Sequence, residues 1–137
     1  MGHRRKSREL ALQILYQMEM KGSDPKGVLD LFWKEVETPG DIREFASSLV
    51  EGAFRNEKEI DQIIERHSTH WRMARMAVVD RNILRLAVYE LLFLHDVPKS
   101  VSLNEAIEVA KKYGTEDSSA FINGILDNIA KEVRRGE

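Results

Sequence analysis

The feature that most constrains this chain is an almost unbroken apolar stretch, VVDRNILRLAVYELLFLHDVP, at residues 78–98. Ile83, Ala87 and Leu91 recur at the spacing of one helical stripe, and further apolar residues widen that stripe almost to the full circumference. A helix of this kind is normally buried among other helices. Charged residues interrupt it too often for a membrane span, and Pro98 ends it. The sequence therefore predicts a buried central helix.

Six further amphipathic helices are predicted around it, starting near residues 7, 24, 41, 57, 102 and 116. Gly22 is expected to end the first helix in a left-handed conformation. Capping boxes are predicted where Asp41 precedes Glu44 and where Ser102 precedes Glu105. No segment alternates with a period of two, so we expect an all-α fold in one domain, residues 1–137.

Four positions carry more specific packing predictions. Gly124 lies inside the last predicted helix, where glycine costs about 1 kcal/mol relative to alanine, so we expect it to allow close contact with the central helix. Trp71, Met73 and Met76 precede the central helix, and residues of these types are more often core filling than part of a cofactor site.

The composition limits the class of protein. Hydrophobic residues make up 42% of the 137 residues and charged residues 32%, which is typical of a packed globular domain. There is no cysteine, which excludes disulfide bonds and thiolate chemistry and suits a reducing cytoplasm. The basic N-terminus leads into an amphipathic helix instead of a signal peptide, so we expect a cytoplasmic protein without a membrane segment.

The charge is distributed unevenly along the chain. The net charge is −2, of which MGHRRKSR at residues 1–8 contributes +4, so the remainder carries −6. We interpret residues 1–8 as a basic arm for an anionic partner, with nucleic acid the first candidate. The alternative is that these charges are simply solvated.

Catalytic motifs are scarce. The chain has neither a phosphate-binding P-loop nor a dinucleotide-binding glycine motif. His67 and His70 are three residues apart and could share a metal, but no third ligand has a suitable spacing. His95 beside Asp96 suits a helix C-terminus. We therefore expect no enzyme, no metal and no cofactor, and we keep a hydrolase that uses these histidines as a remote alternative.

Five segments together resemble the NusB family of bacterial transcription antitermination factors, in order and at the family's spacing. They are RRKSRELALQILY at 4–16, DRNILRLAVYEL at 80–91, DVP at 96–98, LNEAIEVAKKYG at 103–114 and FINGILD at 121–127. The resemblance implies an all-α fold of about seven helices in two packed halves, each like a three-helix bundle. The N-terminal helices would cover residues 9–56 and the C-terminal helices residues 57–137.

The resemblance also implies a function. It implies pairing with NusE, a small-subunit ribosomal protein, and binding of the heterodimer to single-stranded boxA RNA in nascent transcripts, notably of ribosomal RNA operons. It implies that this assembly joins an RNA polymerase antitermination complex, without catalysis or a cofactor.

The resemblance is carried over residue by residue. It assigns RNA contacts to cations and to aromatic residues that could stack on unpaired bases, namely Arg4, Arg5, Lys6, Arg8, Tyr16, Arg81 and Phe121. It assigns partner contacts to Asn104, Glu105 and Asp117. Two alternatives remain open: a helical adaptor that binds only protein, and a homodimer that associates through exposed apolar faces such as Phe32-Trp33.

Overall fold

The computed structural model describes residues 2–22, 24–69 and 71–133, and over these ranges it contains α-helices, one 3₁₀ turn and no β-strand. None of the helices in these ranges has both the length and the apolarity that a bilayer crossing requires. The helices are α1 Gly2–Lys21, α2 Pro25–Glu35, α3 Gly40–Arg55, α4 Glu57–Arg66, α5 Val78–Phe93, α6 Lys99–Tyr113 and α7 Ser118–Glu132, and the 3₁₀ turn is Met73–Arg75.

Helix α5 is the centre of the fold, as its apolar circumference predicts. It packs against α1, α3, α4, α6 and α7. Leu84, Val88 and Leu91 are completely inaccessible to solvent. A single hydrophobic cluster contains residues of all seven helices. The all-α prediction of about seven helices is confirmed.

Helix α1 runs antiparallel to α5, and ion pairs link the two helices at both ends. Arg8 of α1 pairs with Glu90 near the end of α5, whereas Glu19 of α1 pairs with Arg81 and Arg85 near its start. Contacts that come early in α1 are made late in α5 and the reverse, which defines the antiparallel register. Charged side chains therefore specify how these two apolar helices align.

The pair between Arg8 and Glu90 is buried in the protein. Arg8 Nε donates to Glu90 Oε2 and Arg8 Nη2 donates to Glu90 Oε1, both at 2.8 Å, and the two side chains are 7% and 3% exposed. Ser102 Oγ of α6 donates to Glu90 Oε1 at 2.9 Å. Two parallel hydrogen bonds are the strongest geometry that an arginine and a carboxylate can form. The cluster joins α1, α5 and α6.

Helix α1 begins earlier than predicted. The arm expected at residues 1–8 is helical from Gly2 onward, and Met1 lies outside the described residues. Ser7 Oγ donates to the carbonyl of Ile42 at 2.9 Å, so the first turns are held against α3. Tertiary contacts of this kind stabilise a helix start that the clustered positive charges would disfavour.

Both predicted capping boxes are wrong. Helices α3 and α6 begin directly after Pro39 and Pro98, whose φ angles of −54° and −57° already suit a helix. Helix α6 therefore starts three residues before Ser102, and the Ser102 hydroxyl is used by Glu90 instead of by the helix end. Proline is as effective a start signal here as the serine or aspartate that the pattern favoured.

Three glycines differ in conformation and in the space around them. Gly22 adopts a φ of +64°, which confirms the predicted left-handed end of α1. Gly124 is exposed, and a Cβ added there would meet nothing within 4 Å, so the predicted close contact with α5 is wrong. The close approach occurs at Gly52 of α3, where an added Cβ would lie 2.1 Å from Cζ of the Tyr89 ring. Tyr89 therefore packs into the space that Gly52 leaves.

This contrast makes a first prediction. We expect Gly52→Ala to lower the free energy of unfolding by about 1–2 kcal/mol, because the Tyr89 ring must move away from α3 and the better helix propensity of alanine only partly offsets that cost. Gly124→Ala should raise it by about 0.5–1 kcal/mol, because that site is open. Urea denaturation of both variants measures the difference. Equal effects would contradict the packing described for Tyr89.

A second prediction concerns the buried pair. We expect Arg8→Met to lower the free energy of unfolding by about 3–5 kcal/mol, because Glu90 loses its buried counterion. The double variant Arg8→Met/Glu90→Leu should recover most of that loss. Arg5→Met is the matched control, since the half-exposed, solvent-screened ion pair of Arg5 should contribute much less to stability. A single-variant loss no larger than the control's would contradict a stabilising role for the pair.

Candidate nucleic-acid interface

Two of the predicted RNA contacts are occupied by internal partners. Arg8 is buried against Glu90, so its guanidinium is not available to a phosphate. Arg81 forms an ion pair with Glu19 and donates through Nη1 to the carbonyl of Met76 at 2.8 Å. Burial lowers the pKa of Arg81, with a smaller contribution from the neighbouring Arg85. Both arginines link α1 to α5 through these ion pairs.

Arg5 keeps part of its side chain in solvent while it binds α6. Its Nε and Nη2 donate to Glu105 Oε1 and Oε2 at 2.9 and 2.7 Å. The Arg5 side chain is 48% exposed, whereas that of Glu105 is 16% exposed. Hydrogen bonds from Arg5 lower the pKa of Glu105 below its ordinary value. Glu105 was predicted to face a protein partner, but its carboxylate is already engaged by Arg5.

Arg4 and Lys6 remain the more accessible cations of this turn. The Arg4 guanidinium lies 4.3 Å from the centre of the Phe45 ring and 4.0 Å from a carboxylate oxygen of Asp96. Lys6 is exposed and forms no ion pair within the described residues. A flexible, unpaired ammonium is free to follow a phosphate.

Tyr16 lies on the same face of α1 as Arg5. The two are eleven residues apart, which is close to three turns and places them about 16 Å apart along the helix axis. Between them, Glu9 accepts hydrogen bonds from Lys112 Nζ at 3.1 Å and from Tyr113 Oη at 3.2 Å. Tyr16 is 44% exposed. The face formed by Arg5, Lys112 and Tyr16 is called the α1 face below.

The pairing at Glu9 leaves a positive charge on the α1 face. Glu9 itself is buried, but the Lys112 side chain is 58% exposed. Hydrogen bonding to Glu9 raises the pKa of Lys112, so this ammonium stays charged. An exposed aromatic ring and exposed cations along one helix face are a combination that suits single-stranded nucleic acid.

The other predicted contacts lie on α6 and α7. Asn104 is exposed on α6. Asp117 is exposed just before α7, and Phe121 follows one turn later, half-buried against the core. The Phe121 ring is thus partly exposed, whereas Asn104 and Asp117 are open to solvent.

Ring nitrogens of His67 and His95 lie within hydrogen-bonding distance of other groups of the fold. His67 Nε2 lies 2.5 Å from Glu132 Oε2, and its Nδ1 lies 2.9 Å from the carbonyl oxygen of Ile63. His95 Nε2 lies 2.9 Å from the carbonyl oxygen of Leu92. His70, the second member of the predicted pair, lies outside the described residues. Both ring nitrogens of His67 are therefore used within the fold.

The sequence motifs do not identify Lys112 or the glutamates that pair with the arginines. One signal was available for Arg8, which is seven residues before Leu15 and therefore falls on the same inward stripe. Glu90 likewise interrupts the apolar circumference of α5. A charged side chain on a buried stripe needs a partner of opposite charge on a neighbouring helix. Arg8 and Glu90 are each other's partner.

The chain is similar to known proteins over its whole length. The model of the NusB family matches residues 5–131. The chain is 49% identical over 137 residues to the transcription antitermination protein NusB of Desulfatibacillum aliphaticivorans, with 100% of this chain and 96% of the relative covered. It is 54% identical over 135 residues to the protein of the same name from Geobacter sulfurreducens, with 97% of each chain covered.

Solved structures agree with these relatives. NusB of T. maritima superposes with a TM-score of 0.87 at 44% identity, covering 94% of this chain and 91% of that one. A crystal structure of the antitermination factors NusB and NusE in complex with double-stranded RNA has a chain that superposes with a TM-score of 0.85 at 34% identity, covering 96% of this chain and 98% of that one. The chain belongs to the NusB family.

Proposed function

We propose that this chain is an RNA-binding transcription antitermination factor that acts together with a NusE partner. Its ligand is boxA-type RNA in nascent transcripts, and its site of action is an RNA polymerase complex in the cytoplasm. It has no catalytic role. The observation that carries the proposal is identity of about half the residues, over the full chain, to proteins named transcription antitermination protein NusB.

The similar crystal structure that contains NusE and RNA supports both proposed partners, NusE and RNA. The α1 face supports RNA contact from this chain's own residues, because it combines the exposed ring of Tyr16 with the cations Arg5 and Lys112. Lys6 adds an unpaired charge on the same helix. Arg4 can contribute when its weak contact with Asp96 gives way to a phosphate.

We propose that the protein partner uses the exposed polar groups on the last two helices. Asn104 on α6 and Asp117 before α7 are both open to solvent. Glu105 is next to Asn104 but is bound by Arg5, so a partner gains it only in competition with that arginine. Phe121, half-buried beside the same surface, is the apolar neighbour of these contacts.

A protein-only adaptor is the second candidate, and one observation favours it. Glutamates engage Arg5, Arg8 and Lys112, which reduces the positive potential around the start of α1. The two candidates differ in whether RNA affinity depends on salt and on the remaining cations.

The test is a titration of labelled single-stranded boxA-type RNA, with and without NusE, at several salt concentrations. We expect weak binding to the chain alone and tighter binding with NusE. Lys6→Ala should flatten the logarithmic salt slope by about 0.7, the value for one phosphate contact on a single strand. Arg5→Ala and Lys112→Ala should weaken binding more, because each also exposes a carboxylate, Glu105 or Glu9, to the phosphates.

Tyr16 provides a second readout of the same complex. Tyr16→Ala should weaken binding about 5- to 100-fold by loss of base stacking, whereas Tyr16→Phe should bind nearly as well because it keeps the ring. Lys34→Ala, an exposed lysine on α2, is the matched control and should change neither affinity nor slope. Absence of RNA binding at low salt, with and without NusE, would refute the antitermination proposal and favour the adaptor.

A further inference from the structure

We propose that a cleft beside the 3₁₀ turn, lined by Trp71, Arg72 and Arg75, is a second contact site for single-stranded RNA. The inference rests on the proposed function, because it extends the RNA bound at the α1 face toward the other end of α5. It assigns a role to a segment between α4 and α5 in which the sequence predicted only core filling.

The cleft has the size and the lining of a base-binding site. It encloses about 580 Å³ and is completed by Glu65, Ser68 and Thr69. Trp71 is 48% exposed, although a large aromatic ring is usually well buried. The prediction that Trp71 fills the core is therefore wrong, whereas it is correct for Met73 and Met76. An exposed indole offers a stacking surface that accepts any base.

The two arginines of the cleft differ from those that hold the helices together. Arg72 and Arg75 are exposed and form no ion pair with any carboxylate of the described residues, whereas Arg5, Arg8 and Arg81 are each paired. Two unpaired guanidinium groups leave the cleft positive even with one glutamate in it. Guanidinium groups bind phosphate oxygens through paired hydrogen bonds, so this charge suits an RNA backbone.

The segment is held in a defined conformation. Met73 and Met76 are buried, and the backbone N–H of Met73 donates to Glu65 Oε2 at 2.8 Å. The N–H of Arg75 donates to the carbonyl of Arg72 at 2.9 Å. The backbone that carries Arg72 and Arg75 is therefore held by hydrogen bonds, which reduces the conformational entropy lost on binding.

Arg81 connects the cleft to the α1 face. Its guanidinium donates to the carbonyl of Met76 in the turn and pairs with Glu19, which is one turn of α1 beyond Tyr16. From Arg5 to Glu19, α1 rises about 21 Å. A strand with about 3.4 Å per stacked nucleotide spans that distance with about six nucleotides. A twelve-nucleotide RNA is about twice that long, which leaves about six nucleotides to continue beyond Glu19 toward the turn.

Trp71 itself is the probe for the test. The chain has two tryptophans, so Trp71 is the only one left in Trp33→Phe. We expect a twelve-nucleotide single-stranded RNA to quench the fluorescence of Trp71 in the full-length Trp33→Phe protein, alone and in the presence of NusE. The quenching should follow the same titration curve as the anisotropy of the labelled RNA. Circular dichroism and thermal unfolding establish that each variant is folded.

Variants of the arginines separate the cleft from the α1 face. Arg72→Ala/Arg75→Ala should flatten the logarithmic salt slope by about 1.4, the value for two phosphates, and should abolish most of the quenching. Arg72→Lys/Arg75→Lys should keep most of the slope, because it preserves the charge. Lys26→Ala/Lys34→Ala removes two exposed cations from α2 and should leave both the slope and the quenching unchanged.

The outcomes distinguish the two proposals. RNA that binds with the expected dependence on Lys6 and Tyr16, but leaves Trp71 fluorescence and the arginine double variant unaffected, overturns the second site and leaves the proposed function intact. Quenching that depends on Arg72 and Arg75, but not on Lys6 or Tyr16, supports the cleft and overturns the α1 face. No RNA binding in any form overturns both.

Discussion

The buried contact between Arg8 and Glu90 is the interaction on which the rest of this structure depends. It joins the first helix to the central one, and Ser102 adds the sixth helix to the same carboxylate. Apolar stripes alone permit neighbouring helices to slide by a turn, since leucine and isoleucine contacts are not directional. A bidentate pair in the core permits one register, and a second charged cluster around Glu19 specifies the same register at the other end.

This arrangement explains why the exposed surface at the start of α1 is less positive than the sequence of residues 1–8 suggests. Of the clustered cations, Arg8 is buried, Arg5 is paired with a glutamate of α6, and Arg4 lies over an aromatic ring. The positive charge that remains for a ligand comes partly from α6, a hundred residues away in the chain. The interface is therefore a product of tertiary structure, and its composition depends on the pairing of α1 with α6.

The sequence predicts the fold well and the surface less well, for a physical reason. Hydrophobic periodicity is local, so the central helix and most helix positions follow from a single segment at a time. Whether Arg8 faces water or Glu90 depends on a residue 82 positions later, and the space for Tyr89 depends on Gly52 of another helix. The five motifs identified the family, but they could not separate residues that are open to a ligand from residues that hold the helices together.

The long reach of the α1 to α5 contacts has a consequence for biosynthesis. Arg8 and Glu19 are made early, whereas their partners follow 82 and 62 residues later. At about 5–20 residues per second, the first helix leaves the ribosome several seconds before the central helix exists. During that interval Arg8 and Glu19 lack the partners that they have in the folded protein, so the register between the two helices is set only after the central helix has been made.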